Sequence, residues 1–177
     1  MKNTIKVKIL NSNCEPQINK KGDWIDLFAA TDIKLKGLES TTLKRKQIDG
    51  IKDKFREIRH KYSLIPLGIA MELPKGYEAI VVPRSSTFKS KKCIVTNSIG
   101  IIDNSYKGNE DQWYLPILPI ENTIIEQGDK ICQFRIQLSQ FATPWQKFKW
   151  FFTNGVKIKI VGDLNSKNRG GFGSTGK

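Results

Sequence analysis

The sequence predicts a single all-β domain, folded as a sandwich or a barrel. Short segments rich in Ile, Val, Tyr and Phe recur along the chain, and turn signals such as Pro74-Lys75-Gly76 and Gln127-Gly128-Asp129 separate them. Many short strands at near-regular spacing, with little helical periodicity, are typical of all-β folds. The 177 residues are enough for one sizeable core, so we expect one domain.

The strands are predicted by their patterns of apolar residues. Near the start of the chain Ile5, Val7 and Ile9 alternate with lysines, which indicates a half-buried strand rather than the continuous apolar stretch of a signal peptide. VKIKIV, residues 156–161, repeats this alternation. Five apolar segments between them also predict strands: residues 63–73, 77–83, 93–102, 113–120 and 130–138.

Two stretches depart from this pattern. The strongly basic residues 36–61 contain apolar or long side chains at helical spacing, namely Leu43, Gln47, Ile51, Phe55, Ile58 and the following Tyr62. We therefore expect a solvated helical insertion, with a nucleic-acid or protein partner as the alternative. In WQKFKWFF, residues 145–152, aromatic residues alternate with lysines. We expect core or subunit interface there, and a stacking surface for single strands is the alternative.

Charge and cysteine content limit the function classes. The net charge of +13 favours an anionic partner, which can be a nucleotide, a nucleic acid or a membrane surface. Cys14, Cys93 and Cys132 are widely spaced and His60 is the only histidine, so a structural zinc site is not expected. No apolar stretch approaches the ~18 residues of a membrane span, and we expect a cytoplasmic protein with reduced thiols and no membrane partner.

Three short stretches carry groups suited to nucleotide chemistry. GDWIDLFAA places Asp23 and Asp26 beside apolar residues. PRSST, residues 83–87, ends an apolar segment with an Arg and hydroxyls, donors that suit phosphate oxygens. In NSIGIIDNSYKG, residues 97–108, Asp103 follows two isoleucines and is a candidate base for a water, while the ring of Tyr106 could pack on a sugar.

Two further stretches complete the series. GDKICQ, residues 128–133, is a turn that enters a strand and carries the amide of Gln133. RGGFGSTG, residues 169–176, combines glycines, which allow close approach of a backbone to phosphate, with Phe172, which can cover a flat base. This tail is interpreted as a flexible lid that orders on a nucleotide.

In this order the five stretches resemble the motifs of trimeric dUTPases, most closely those of Gram-positive bacteria and their phages. The resemblance spans Asp23 to Gly176. It implies a β jelly-roll (β-clip) subunit, residues 1–162, and a mobile arm, residues 163–177, in a homotrimer whose active sites combine residues of all three subunits. It also implies hydrolysis of dUTP to dUMP and pyrophosphate, which keeps uracil out of DNA and supplies dUMP, in the bacterial host cytoplasm if the protein is phage-encoded.

The resemblance also assigns the site residues. Asp103 would be the general base, with Gln133 near the α-phosphate and Ser85 near the oxygen that leaves. Asp26 would reach Mg²⁺ through water. The substrate-binding set would be Arg84, Ser85 and Ser86 on phosphates; Asn97, Gly100 and Ile102 in the uracil-binding hairpin; Tyr106 on deoxyribose; and Arg169, Phe172, Gly173, Ser174 and Thr175 in the arm.

One departure from the family pattern concerns the arm. Many members place the arginine five residues before the phenylalanine, whereas Arg169 stands three before Phe172 and Lys167 occupies the usual position. Either could hold the γ-phosphate. Two other functions stay as alternatives: a dCTP deaminase, which shares the fold and a similar PRSS stretch, and a nucleotide-gated regulatory or nucleic-acid-binding protein, which the charge and the insertion allow.

Overall fold

The computed structural model describes residues 2–20, 22–40, 44–48, 51–55 and 57–171, with the backbone alone for 44–48 and 51–55. In chain order the strands are β1 (Asn3–Ile9), β2 (Gln17–Ile18), β3 (Ile25–Phe28), β4 (Ile33–Leu35), β5 (Glu39–Ser40), β6 (Lys44–Ile48), β7 (Ile51–Phe55), β8 (Ile58–Arg59), β9 (Ser63–Glu72), β10 (Tyr77–Pro83), β11 (Cys93–Val95), β12 (Gly100–Ile102), β13 (Gln112–Pro119), β14 (Thr123–Ile125), β15 (Lys130–Leu138) and β16 (Val156–Ile160). Two helices accompany them, α1 (Thr87–Lys91) and α2 (Pro144–Phe151).

Two five-stranded sheets make up most of the described chain. The first has the order β11-β13-β9-β1-β16 and the second the order β12-β10-β15-β3-β2. β1 and β16 pair in parallel, from Asn3 opposite Val156 to Val7 opposite Ile160. The other pairings within these two sheets are antiparallel. Three two-stranded ladders, β4 with β14, β5 with β8 and β6 with β7, lie outside them.

The hydrophobic core lies between the two sheets. Every second residue of β13 is buried, as expected for a strand with one face on a core. Trp113 of the first sheet and Phe134 of the second meet edge to face, with ring centroids 5.3 Å apart. Both side chains are fully buried, so this contact joins the two layers of a sandwich.

The predicted all-β architecture is confirmed. Each of the seven segments with strand patterns contains one or two strands within about its predicted limits. The alternation at the start of the chain also has the expected result, since Ile5 and Val7 are fully buried between exposed or half-buried neighbours. All three cysteines are free and buried. In the described part of the chain, no helix is long and apolar enough to cross a bilayer.

The expected helical insertion at residues 36–61 is wrong. β6 and β7 form an antiparallel hairpin with Lys44 opposite Phe55 and Ile48 opposite Ile51. β5 and β8, which precede and follow this hairpin in the chain, pair with each other. The physical reason is that a spacing of four residues also keeps side chains on one face of a strand, whose period is two. The dipeptide Asp49-Gly50, which separates the paired strands in the sequence, is a typical hairpin signal.

Residues 145–152 do not lie in the core. They form most of α2, and no residue of this helix is buried. Thr143 caps the helix, because its hydroxyl accepts a hydrogen bond from Gln146 N while the Gln146 side chain accepts one from Thr143 N. Pro144 in the first turn has the backbone conformation that a helix start requires.

Candidate active site

The second sheet brings three of the predicted motifs together. Asp26 on β3 lies directly opposite Gln133 on β15, and Gln133 lies opposite Val82 on β10. Arg84 immediately follows β10. Adjacent strands are about 4.8 Å apart, so the side chains of three motifs that are distant in the chain lie together at one end of the sheet.

Asp26 is the acidic residue that pairs with the cationic side chains at this end of the sheet. The residue is only 4 % exposed, and its two carboxylate oxygens pair with Arg84 Nε at 3.0 Å and Lys130 Nζ at 3.2 Å. A buried carboxylate requires such compensation, so the three groups hold one another in place. Lys130 was not among the predicted site residues, although it stands within GDKICQ.

Thr87 fixes the turn that carries the PRSS motif. Its buried hydroxyl accepts a hydrogen bond from Arg84 N at 3.0 Å and donates one to Ile131 O at 2.8 Å, which ties the end of β10 to β15. Ser85 and Ser86 lie on the exposed side of this turn. Gln133 Nε2 lies 3.4 Å from Pro83 O, so its amide also faces the turn. The arrangement presents hydroxyl, amide and guanidinium donors near one surface.

Asp103 lies directly after β12, at the other end of the sheet. Its Oδ1 accepts hydrogen bonds from the backbone N–H and the hydroxyl of Ser105, and its Oδ2 pairs with Arg169 Nη1 at 2.9 Å. Burial acts to raise the pKa of this carboxyl, but the Ser105 hydrogen bonds and the Arg169 charge together outweigh burial and lower it. Asp103 is therefore an ionised group, half exposed to solvent.

Tyr106 is held rigidly beside Asp103. Its hydroxyl donates to Gln112 O at 2.8 Å, and its ring packs against the core. Burial, with smaller contributions from Asp111 and Tyr114, raises the pKa of Tyr106 to about 12. The residue is thus a neutral, fixed ring, suited to shaping a pocket rather than to moving a proton.

The predicted uracil hairpin is an exposed edge. β12 is the outer strand of the second sheet in the described chain, so one side of its backbone has no strand partner there. Ser98 has a left-handed backbone with φ of 56°, and Ile99 N donates to Asn97 O within the turn. Asn97 is exposed, whereas Gly100 and Ile102 are half-buried. Free backbone donors and acceptors along β12 can pair with the edge of a flat base.

The beginning of the arm lies against the same part of the chain. Asn168 and Glu110 exchange two hydrogen bonds, and the Arg169 and Gly170 N–H groups donate to Asp111. Of the two candidate cations, Arg169 is the one in contact with Asp103, while Lys167 is exposed. Phe172, Gly173, Ser174 and Thr175 lie outside the described residues.

One chain does not bring all the predicted residues together. Asp103 follows Ile102, which pairs with Ala79, and Arg84 is five residues farther along β10. At about 3.3 Å per residue, the two ends are roughly 16 Å apart along the strand. The structure thus has two groups: Asp26, Arg84, Lys130 and Gln133 at one end, and Asp103, Tyr106 and Arg169 at the other.

The fit of a divalent cation follows from these contacts. Among the described residues, no three His, Cys, Asp or Glu side chains cluster tightly enough to hold a metal ion by themselves. Asp26 already faces two cationic side chains. Mg²⁺ commonly keeps several waters and binds through one or two carboxylates together with substrate phosphates. Because both oxygens of Asp26 already pair with cationic side chains, Asp26 could meet such an ion only through an intervening water.

Sequence comparison identifies the family. Residues 52–144 match the sequence profile of dUTPase. The chain is 44 % identical over 174 residues to the SPbeta prophage-derived deoxyuridine 5'-triphosphate nucleotidohydrolase YosS of Bacillus subtilis, with 97 % of each protein covered. The chain belongs to the dUTPase family.

Solved structures support the fold independently. The dUTPase from Streptococcus mutans superposes with a TM-score of 0.60 at 16 % identity, covering 78 % of this chain and 98 % of that chain. A mutant dUTPase from phage phi11 of Staphylococcus aureus, described with a structural Mg(II) ion, gives 0.58 at 19 % identity, covering 80 % and 94 %. The predicted jelly roll is confirmed by these matches.

Proposed function

We propose that this dUTPase-family enzyme hydrolyses dUTP to dUMP and pyrophosphate in a Mg²⁺-dependent reaction in which Asp103 is the general base. The observation that carries the proposal is the state of Asp103: it is ionised, half exposed, and held by Ser105 and Arg169 beside the fixed ring of Tyr106. An ionised carboxylate that is oriented by its neighbours can accept a proton from a water that attacks the α-phosphorus.

The groups around Asp26 are proposed to bind the triphosphate. Arg84 offers a planar set of N–H donors, and Ser85 and Ser86 add exposed hydroxyls. Ser85 would donate to the bridging oxygen where charge grows as the α–β bond breaks, while the Gln133 amide orients the α-phosphate and its water. Lys130 belongs to this set because it pairs with Asp26 beside Arg84.

Mg²⁺ would be held by the triphosphate, with Asp26 contacting it through water. When bound, the ion neutralises phosphate charge and fixes the geometry of the leaving pyrophosphate. The phage phi11 dUTPase is described with a structural Mg(II) ion, so a protein of this fold is known to bind the ion.

Specificity for deoxyuridine is assigned to β12 and Tyr106. The free edge of β12 can pair with the N–H and C=O groups of uracil, and an imperfect match with cytosine would leave polar groups unpaired. Because the Tyr106 ring is fixed through Gln112 O, it cannot easily move aside for a 2′-hydroxyl.

A complete site is proposed to form between copies of the chain. The Asp103 group and the Asp26 group are roughly 16 Å apart along β10, which is too far for both to reach one α-phosphate. A homotrimer with shared sites would bring the Asp103 end of one copy to the Asp26 end of another. The arm is then proposed to close over the nucleotide, with the Phe172 ring on uracil and with Ser174 and Thr175 near the γ-phosphate.

The physiological role would be the removal of dUTP from the nucleotide pool and the supply of dUMP, in the bacterial cytoplasm where the phage-derived relative would act.

A direct assay tests the chemistry. Purified protein is incubated with Mg²⁺ and each of dUTP, dCTP, dTTP and UTP, and pyrophosphate and deaminated base are measured. We expect pyrophosphate from dUTP alone, lost on addition of EDTA. Deamination of dCTP, or equal turnover of UTP, would contradict the proposal.

A further inference from the structure

Asp111 is a buried acid outside the predicted motifs. It is 1 % exposed, and its carboxylate accepts hydrogen bonds from three backbone N–H groups: Gly108 at 2.7 Å, Arg169 at 3.0 Å and Gly170 at 3.2 Å. A buried carboxylate is costly unless donors surround it, and hydrogen bonds to a charged acceptor are the strong ones. The carboxylate therefore joins the turn after Tyr106 to the beginning of the arm.

The turn Gly108–Asp111 leaves space for the backbone of the arm to pack directly against it. A Cβ atom on Gly108 would lie 2.4 Å from Asn168 Cα and 2.6 Å from Asn168 N, so only glycine allows this approach. Asn168 also exchanges hydrogen bonds with Glu110. The backbone of residues 168–170 is consequently fixed, and the Arg169 guanidinium reaches Asp103 from a defined position.

We infer that Asp111 is a positioning residue for the arm. It fixes the backbone of Arg169 so that the guanidinium contacts Asp103 in the free enzyme. When a nucleotide is bound, the guanidinium leaves Asp103 and contacts the γ-phosphate instead. The inference rests on the proposed function, because it takes the nucleoside triphosphate as the ligand.

Hydrogen exchange in the ligand-free protein tests the anchor without using activity. In Asp111→Asn, which keeps the side-chain size and loses the charge, we expect the Arg169 and Gly170 amides to exchange about tenfold faster or more. Asp32→Asn is the matched control, since Asp32 also accepts a backbone hydrogen bond, from Gln127 N, but in another turn. It should leave these two amides unchanged. Unaltered exchange in Asp111→Asn would overturn the inference.

Kinetics test the consequence for the nucleotide. Asp111→Asn should raise KM for dUTP by about tenfold and leave inhibition by dUMP, which has no γ-phosphate, unchanged. Gly108→Ala displaces Asn168 and keeps Asp111, so it should also raise KM for dUTP and leave inhibition by dUMP unchanged. This variant replaces Asp111→Asn in the test if Asp111→Asn does not fold. An equal loss of dUTP and dUMP binding would overturn the inference. A wild-type protein without dUTP hydrolysis refutes the proposed function, and the exchange experiment still reports on the anchor.

A second, independent observation concerns the surface of α2. Trp145, Phe148 and Phe152 lie at positions i, i+3 and i+7 and pack on one another, with ring centroids 5.5 Å and 5.2 Å apart. They are 62 %, 51 % and 66 % exposed. We call these three side chains the aromatic face. A continuous apolar face of this kind on a helix is typical of a binding surface.

The opposite side of α2 attaches the helix to the sandwich. The Gln146 side chain lies over Gly76, where a Cβ atom would come within 2.5 Å of it. Trp150 lines a cavity of about 550 Å³ together with Arg135 and Val156. The aromatic face is thus turned away from the body of the protein and is not a misplaced part of the core.

Charge favours an anionic partner for the aromatic face. From Lys130 to Gly162 the sequence contains no Asp or Glu and six basic residues. Lys147 and Lys149 lie within the helix, and Lys149 Nζ is 5.4 Å from the centre of the Trp145 ring at the border of the aromatic face.

The geometry points to a docking face for an anionic phospholipid surface. Aromatic rings with neighbouring lysines suit the boundary between headgroups and acyl chains, where the rings enter and the amines stay at the phosphates. Trp145 and Phe148 stack and Phe148 meets Phe152 edge to face, so the three rings form one contiguous apolar surface rather than separate platforms for successive bases.

Vesicle co-sedimentation tests this docking face. We expect binding to phosphatidylglycerol vesicles at low salt, at least tenfold weaker binding to phosphatidylcholine, and a blue shift of tryptophan fluorescence. Trp145→Ala with Phe148→Ala, and separately Lys147→Gln with Lys149→Gln, should abolish binding. Phe88→Ala, an exposed aromatic beside lysines on α1, is the matched control and should bind normally. No binding to phosphatidylglycerol would overturn the proposal, as would self-association or single-stranded DNA binding that the same double variants remove.

Discussion

The state of Asp103 follows from three neighbouring groups. The Ser105 N–H and hydroxyl and the Arg169 guanidinium stabilise its negative charge, and they outweigh the partial burial that acts against it. A group that is already ionised and oriented in the free enzyme loses little on entering the reaction. Substitutions at or near Asp103 should therefore change catalysis more than folding.

Replacing Asp103 with Asn tests its role as a base. The amide keeps the size of the side chain but cannot accept a proton, so kcat should fall by at least ~10²-fold. Binding of dUTP, measured by titration calorimetry without turnover, should change little. Near wild-type turnover by Asp103→Asn would exclude this residue as the base.

The pH dependence of kcat/KM tests the electrostatics. Because the pKa of Asp103 is lowered, the carboxylate stays ionised below the ordinary aspartate range, and activity is lost only as the pH falls through this lowered value. Ser105→Ala removes one hydrogen bond to the charged form, so the acid limb should move to higher pH. The pH–rate profiles of the two proteins provide the measurement, and coincident acid limbs would argue against the assignment.

Discrimination between dUTP and UTP is expected to depend on the ring of Tyr106. Tyr106→Ala should lower the ratio of kcat/KM for dUTP to kcat/KM for UTP, because space opens beside C2′ of the sugar. Tyr106→Phe keeps the ring and loses only the hydrogen bond to Gln112 O, and it should retain most of the preference. If Tyr106→Ala stays active with unchanged discrimination, another residue recognises the sugar.

At the scale of elements, strands were predictable and two local structures were not. Alternating apolar residues such as Ile5 and Val7 identify strands because successive side chains of a strand point to opposite faces, and only one face of a half-buried strand packs on the core. At residues 43–55 steps of four occur on one face of a helix and also within a single strand, and Asp49-Gly50 is the sequence signal that favours a hairpin. The helix α2 was missed because its aromatic residues are not on a buried face, and its signal is the Thr143 to Gln146 capping box.

The long strand β9 depends on Gly68. This residue has φ of +64°, and a Cβ atom there would lie 2.7 Å from Cys14 Sγ and 3.0 Å from Ala30 Cβ. Gly68→Ala should lower the free energy of unfolding by on the order of 2–4 kcal/mol, from backbone strain and overpacking together. Gly128→Ala has similar strain, with φ of +85°, but meets no atom within 4 Å. Urea denaturation should show a clearly smaller loss for this control.

At the scale of the whole molecule, sequence motifs assign candidate site residues but do not predict how these residues are arranged. Asp103 and Arg169 were assigned by motif, and they do contact each other. Asp111 and Lys130 were not, because their importance comes from partners far away in the sequence, Arg169 and Asp26. Such contacts depend on the folded topology, and no local pattern of residues encodes them.

Shared sites predict complementation between inactive variants. Arg84→Ala and Asp103→Asn should each be nearly inactive alone, since each removes one end of every site. Co-produced in one cell, they should regain about a quarter of the wild-type sites if a ring of copies assembles at random. Activity of the purified mixed oligomer, compared with a mixture of the two separately assembled variants, is the measurement. No recovery in the co-produced sample would show that each copy supplies its own complete site.

The parallel pairing of β1 with β16 has a consequence for synthesis on the ribosome. These neighbours in the first sheet are roughly 150 residues apart in the sequence, so β1 emerges long before its partner exists. Pairing with β9 can protect only one edge of β1 in the meantime. Contacts of such long range form slowly. The last steps of folding must therefore wait until Ile160 has left the exit tunnel, and stalled chains that end before β16 should be open to proteolysis along β1.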